Sequence, residues 1–148
     1  MSYILSDQRD VDCAAAFDKY ESYLVASKER LPATINVLLR EGWWFDFRDH
    51  RCPHDSWVEE LKIKEGRKED VRTVDIYLRL LGAYHDGHLE IAYKGVKNYE
   101  LSCVGDSHGD WRYDQFLVAG DGFRHEIEWD DGTIWKIVAE DFEYVWKK

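Results

Sequence analysis

A chain of 148 residues, 45% of them hydrophobic and 34% charged, is long enough to bury about 70% of its unfolded surface in one core without metal or disulfide staples. Two prolines and no Gly/Ser tract leave no linker, so one domain over 1–148 is expected, helical over 1–42 and β-rich over 43–148. A formal charge of −10 repels polyanions and argues against nucleic acid, and the basic cluster Lys62, Lys64, Arg67 and Lys68 is interleaved with Glu59, Glu60, Glu65, Glu69 and Asp70. No stretch approaches the about 18 apolar residues of a membrane span, and MSYILSDQRDVD lacks the basic and apolar regions of an export signal. Cys13, Cys52 and Cys103 are odd in number and without CxxC spacing, which suits reduced thiols in a cytoplasmic protein, and a bacterial source is expected.

From Asp10 to Ala26, Cys13, Phe17, Tyr20 and Leu24 form one stripe of an amphipathic helix, with Asp10 as its N-cap. A second helix is expected from Pro32 to Glu41, because proline suits a first helical position and Gly42 suits the left-handed residue that ends a helix. Trp43, Phe45 and Phe47 alternate with Trp44, Asp46 and Arg48, which reads as a short extended segment with one row buried. After an irregular Asp49–Ser56 stretch, a strand starts at Trp57, and the phase slip between Val58 and Leu61 predicts a bulge.

The longest two-residue period runs from Val71 to Leu101. Val74, Ile76, Leu78 and Leu80 alternate with polar neighbours, as do Leu89, Ile91 and Tyr93, and Asp86-Gly87 between them suits a two-residue turn. That turn would place His85 opposite His88, Tyr84 opposite Leu89, Gly82 opposite Ile91 and Leu80 opposite Tyr93, with the apolar rows on one face. Lys97–Cys103 reads as a further strand. An Asp121-Gly122 turn would pair Phe116 with Ile127 and Val118 with His125. A three-residue Asp130-Asp131-Gly132 loop pairs Ile127 with Trp135, His125 with Ile137 and Glu126 with Lys136, and Phe142, Tyr144 and Trp146 carry the last strand into the core. The expected fold is α+β, two N-terminal helices packed on a twisted antiparallel sheet of six or seven strands.

Two groups of residues invite a site. His50, Cys52, His54 and Asp55 share one loop, and His85, Asp86, His88 and Glu90 surround one turn; Trp57 opens the strand between them. Neither group has a zinc-binding spacing, so no metal and no cofactor are expected. Ser56, Ser107 and Cys103 lack a nucleophile elbow, and no glycine-rich phosphate loop is present, so no catalytic residue is assigned. His125, on an apolar row, reads as a core histidine with its hydrogen bonds satisfied.

The order of pieces carries a resemblance: Phe17-Asp18-Lys19-Tyr20 on a helix, Leu31-Pro32 opening another, His54-Asp55-Ser56-Trp57 leading into the sheet, and His125-Glu126-Ile127 leading to the Gly132 turn. It resembles small uncharacterised bacterial domain families with a helical front and a closing β-meander, some of which look like immunity proteins of polymorphic toxin systems. The resemblance implies a non-enzymatic binder of a basic protein partner and no catalytic residues. The binding candidates are His54, Asp55, Trp57, His85, Asp86, His88 and Glu90. Two alternatives stand beside it: a small metal-dependent hydrolase built on the His54/Asp55 and His85/His88 loops, and a small-molecule or sugar binder using Trp43, Trp44 and Trp57.

Overall fold

The alternating half of the chain forms six strands: β1 (Trp57–Lys68), β2 (Val71–Leu81), β3 (His88–Glu100), β4 (Trp111–Ala119), β5 (Gly122–Trp129) and β6 (Ile134–Lys147), in a computed structural model that describes residues 2–148. They make one antiparallel sheet in the order β1-β2-β3-β6-β5-β4. The chain meanders out to β3, crosses to the far edge through residues 101–110, and returns so that β6 docks on β3. The two outer strands meet at one corner. Trp57 bridges to Asp110, the Asp55 N–H donates to Trp111 O at 2.7 Å, and the Trp111 N–H donates to Ser56 O at 3.1 Å. The sheet is thereby curled toward a barrel whose inner face holds the core.

Strand register sets the core rows. Leu61, Leu78, Ile91 and Tyr144 lie side by side across β1, β2, β3 and β6, and Ile63, Ile76, Tyr93 and Phe142 form the next row. Phe116, Phe123, Ile127, Trp129, Trp135 and Ile137 fill the rest, all buried.

Among the described residues three helices precede the sheet: α1 (Asp7–Val11), α2 (Cys13–Ala26) and α3 (Ala33–Glu41). The single helix expected from Asp10 is broken at Asp12, which is extended and whose carboxylate accepts the Ala15 N–H at 3.1 Å as the cap of α2. Tyr20 is buried, Phe17 and Leu24 half-buried, and Cys13 exposed. α2 lies along the free edge of β4: the Tyr20 hydroxyl accepts the Phe116 N–H at 2.6 Å and donates to Phe116 O at 3.0 Å, and the Tyr23 hydroxyl accepts the Val118 N–H at 2.7 Å. Residues 3–9 cover the outer face of β4 and β5, where the Gln115 amide oxygen accepts the N–H groups of Tyr3, Ile4 and Leu5 and Arg9 pairs with Glu128 at 3.1 Å. α3 ends at left-handed Gly42 as expected and buries Ile35 and Leu38.

The expected bulge of β1 lies between Val58 and Glu60. The β5–β6 pairing is also as expected: Ile127 faces Trp135, Glu126 faces Lys136 and His125 faces Ile137. The central hairpin differs. Its loop spans Gly82–Gly87, closed by the Gly82 N–H donating to Gly87 O at 2.9 Å, so Leu81 faces His88 and Leu80 faces Leu89. The shift from the two-residue turn is four residues, an even number, so every side chain keeps its face. The cause is Trp146 of β6, packed on this loop so closely that a Cβ at Gly82 would sit 2.7 Å from its ring. The β4–β5 turn is at Gly120-Asp121, so Phe116 faces His125 and Val118 faces Phe123, a shift of two. Lys97–Glu100 belongs to β3, beyond a bulge between Val96 and Asn98, and is no separate strand. Residues 43–52 are a run of turns, in which Asp46 N–H donates to Trp43 O, Asp49 N–H to Asp46 O and Cys52 N–H to Asp49 O. Trp43 and Trp44 are accordingly both buried, where an extended segment would alternate them.

Candidate functional site

A buried cluster of titratable side chains lies inside the curled sheet. His125 of β5 places Nε2 at 2.7 Å from Asp114 Oδ2 of β4 and Nδ1 at 2.7 Å from the Tyr93 hydroxyl of β3. Asp114 also accepts Trp44 Nε1 at 2.8 Å and Trp111 Nε1 at 3.4 Å. Burial raises the Tyr93 phenol well above its usual range, so Tyr93 keeps its proton; with Nε2–H turned to Asp114, the phenol O–H is paired with Nδ1. Every member is satisfied and desolvated: Asp114 is 3% exposed and His125 0%. The Phe116 ring stacks on His125 at 4.1 Å and closes the site. A hydroxyl, an imidazole and an orienting carboxylate in this order have the layout of an acyl-transfer site, but substrate has no route to atoms with no exposure. His125 is thus the satisfied core histidine expected. Asp114 is the member that reading the sequence misses, although it stands in phase with Phe116 and Val118 on an apolar row.

The exposed chemistry collects where residues 43–57 meet the 82–87 loop. His50 Nδ1 lies 2.6 Å from Asp86 Oδ2, and the His50 ring stacks on Tyr84 at 3.8 Å with a 3° tilt. The His50 hydrogen bond holds the Asp86 carboxyl below the usual carboxylate range. Trp57 lies 4.6 Å from the ring of His85, which sits in a left-handed conformation, and its Nε1–H donates to Asp110 Oδ1 at 2.6 Å. His54 stacks on Phe47 at 3.9 Å and donates from Nδ1 to Arg112 O at 2.6 Å. Three large rings of this rim are open to solvent: Phe47 at 42%, Trp57 at 46% and Tyr84 at 50%.

The two predicted loops therefore touch, but through His50–Asp86 and Trp57–His85. His54 and Asp55 face β4, with Asp55 Oδ1 3.6 Å from His54 Nε2. The Asp55 side chain accepts no backbone N–H among the described residues, and its backbone is left-handed. The Asx-type bonds of this loop come from Asp46 and Asp49, which accept the N–H groups of Arg48 and Arg51. The cross-strand His85–His88 pair is corrected. His88 faces Leu81 and binds Glu59 at 2.9 Å, because the longer loop moves His85 off the ladder. Glu90 lies on the outer face, paired with Lys147 at 3.2 Å. Among the described residues no three His, Cys, Asp or Glu side chains converge as a metal-ligand set.

Trp43 and Trp44 are closed to a sugar, and Trp57 alone of the three nominated tryptophans is exposed. A depression of about 750 Å³ on the outer sheet face is lined by Glu60, Lys62, Tyr77, Arg79, Glu90 and Glu143 among others, and a smaller one of about 500 Å³ by Arg48, His50, Asp86 and Trp146 among others. Neither is lined by Trp57. No described helix is long and apolar enough to cross a membrane.

The fold and rim define an α+β protein built on a six-stranded antiparallel sheet. No protein-family model matches the chain, and no curated protein and no solved structure matches it either.

Proposed function

We propose that this chain is a non-enzymatic binding protein, immunity-like in the sense of covering a basic protein partner, and that the rim is its binding face. The observation that carries the reading is the division of its chemistry: the hydrogen-bonded Tyr93–His125–Asp114 chain is sealed in the core, while Phe47, Trp57 and Tyr84 stand exposed at one end. Exposed aromatics anchor protein interfaces, because they bury large areas at small entropic cost. Asp55, Asp86 and Asp110 flank these rings and supply carboxylates for a basic partner, in keeping with the charge of −10. Nucleic acid fits this surface poorly for the same reason.

Affinity capture with the tagged chain tests the reading, run in parallel with a Trp57→Ala/Tyr84→Ala variant and a Val145→Ala control on the outer sheet face. A basic protein retained by the parent chain and the control, and lost by the rim variant, is the expected outcome. Capture that survives the rim variant moves the binding face elsewhere, and turnover that depends on Asp114 or His125 overturns the reading.

A further inference from the structure

The two edges of the sheet are treated differently. That of β4 is sealed by side chains: His54 donates to Arg112 O, Tyr20 takes the N–H and O of Phe116, and Tyr23 takes the Val118 N–H. Beyond the Trp57–Asp110 bridge, no hydrogen bond among the described residues reaches the free side of β1. Edge strands are commonly protected by charges that point inward. In β1 the inward row is Leu61, Ile63, Glu65 and Arg67, so its charges lie only toward the far end and Ile63 is 44% exposed at mid-strand, while Glu60, Lys62 and Lys64 point to the outer face. The core rows of the sheet thus run to this edge and end on apolar side chains in solvent.

We propose that a second copy of this chain continues the sheet at this edge, with β1 paired antiparallel to β1 about a two-fold axis at Lys62. An axis normal to the sheet keeps both inner faces on one side. In this register Leu61 faces Ile63 of the second copy, so the apolar rows pass from one core into the next. Glu60 faces Lys64 of the second copy, twice, and the outer row becomes complementary in charge. The neighbouring registers fail on the same residues. Centring on Ile63 sets Lys62 against Lys64 twice and Leu61 against Glu65, and centring on Leu61 sets the apolar Ile63 against the bulge at Glu59, where the Lys62-centred register sets the exposed Glu65 at the end of the pairing. A one-residue slip turns the apolar row away from its counterpart. The single Lys62–Lys62 contact at the axis is offset within each copy by the Lys62–Glu60 ion pair at 2.7 Å.

One strand pair is a small interface, so the dimer is weak, with a dissociation constant on the order of 10–100 µM. Sedimentation velocity at low salt, from about 1 µM to about 1 mM, reads it directly. Glu60→Lys and Lys64→Glu each weaken association by about tenfold or more, and the double swap Glu60→Lys/Lys64→Glu restores it to within about threefold. Ile63→Lys abolishes it while leaving the far-ultraviolet circular dichroism and melting cooperativity of the monomer in place. In a Cys13→Ser/Cys103→Ser background, Lys62→Cys forms an intermolecular disulfide on mild oxidation and Lys68→Cys does not. A chain that stays monomeric throughout, a dimer indifferent to Ile63→Lys, or a charge swap that fails to rescue overturns the proposal. A β1-dependent complex formed only with a different protein overturns it as well.

Discussion

Replacing Asp114 asks whether the buried His–Asp–Tyr chain is part of the framework. Its Oδ2 receives two well-formed hydrogen bonds, from Trp44 Nε1 at 2.8 Å and His125 Nε2 at 2.7 Å, and its Oδ1 a longer one from Trp111. Alanine strands the first two donors where water has no access, each at about 1–3 kcal/mol. Asparagine has the same shape, and its carbonyl oxygen serves both strong donors while its amide faces only the long Trp111 contact. Asp114→Asn is therefore expected to cost about 1–2 kcal/mol. Urea melts followed by tryptophan fluorescence give both values, because Trp44 and Trp111 report on the site itself. A neutral or stabilised Asp114→Ala variant would refute the reasoning, since groups held for chemistry are commonly kept at some cost in stability.

Further outcomes rest on the same contacts. Leu78→Ala and Ile91→Ala, facing pairs on the inner sheet, each lose about 2–5 kcal/mol in urea melts, whereas Tyr77→Ala on the outer face loses clearly less. Tyr20→Phe leaves both backbone groups of Phe116 unpaired at a buried edge and costs about 1–3 kcal/mol by thermal melt. Burial pushes the Cys52 thiol from 9.0 up to about 12 and raises the Tyr20 and Tyr93 phenols above 10.0; these groups stay protonated in the folded chain after their unfolded counterparts ionise, so stability is full below pH 9.0 and falls as pH rises toward 12. In the native protein a thiol reagent near neutral pH modifies Cys13 and Cys103 only, and Cys52 after unfolding. Asp55→Gly, at a left-handed position with no side-chain cap, raises the melting midpoint by the equivalent of about 1 kcal/mol; a fall would show that the carboxylate has a structural partner.

Side-chain alternation by itself determined which residues face the core, because a strand's period of two survives any even change of register. Ile76, Leu78 and Leu80 remain inside although their hairpin is displaced by four residues, and Phe116 and Val118 remain on the inner row although theirs is displaced by two. The β5–β6 loop, the β1 bulge and the end of α3 were likewise legible, being set by turn chemistry within a few residues of themselves. Where a contact distant in sequence competes, local rules lose. Trp146 holds the 82–87 loop open against the short turn that Asp86-Gly87 prefers, and the acceptor on Asp114 draws Trp44 inward beside Trp43. The candidate site shows the same division. Its residue types were visible along the chain, but which histidine meets which carboxylate depends on loops from three parts of the sequence, so His50 joins Asp86 and His88 joins Glu59. Only the folded sheet, by curling until Trp57 meets Asp110, decided that Trp57 and His85 share a rim while Tyr93, His125 and Asp114 are enclosed.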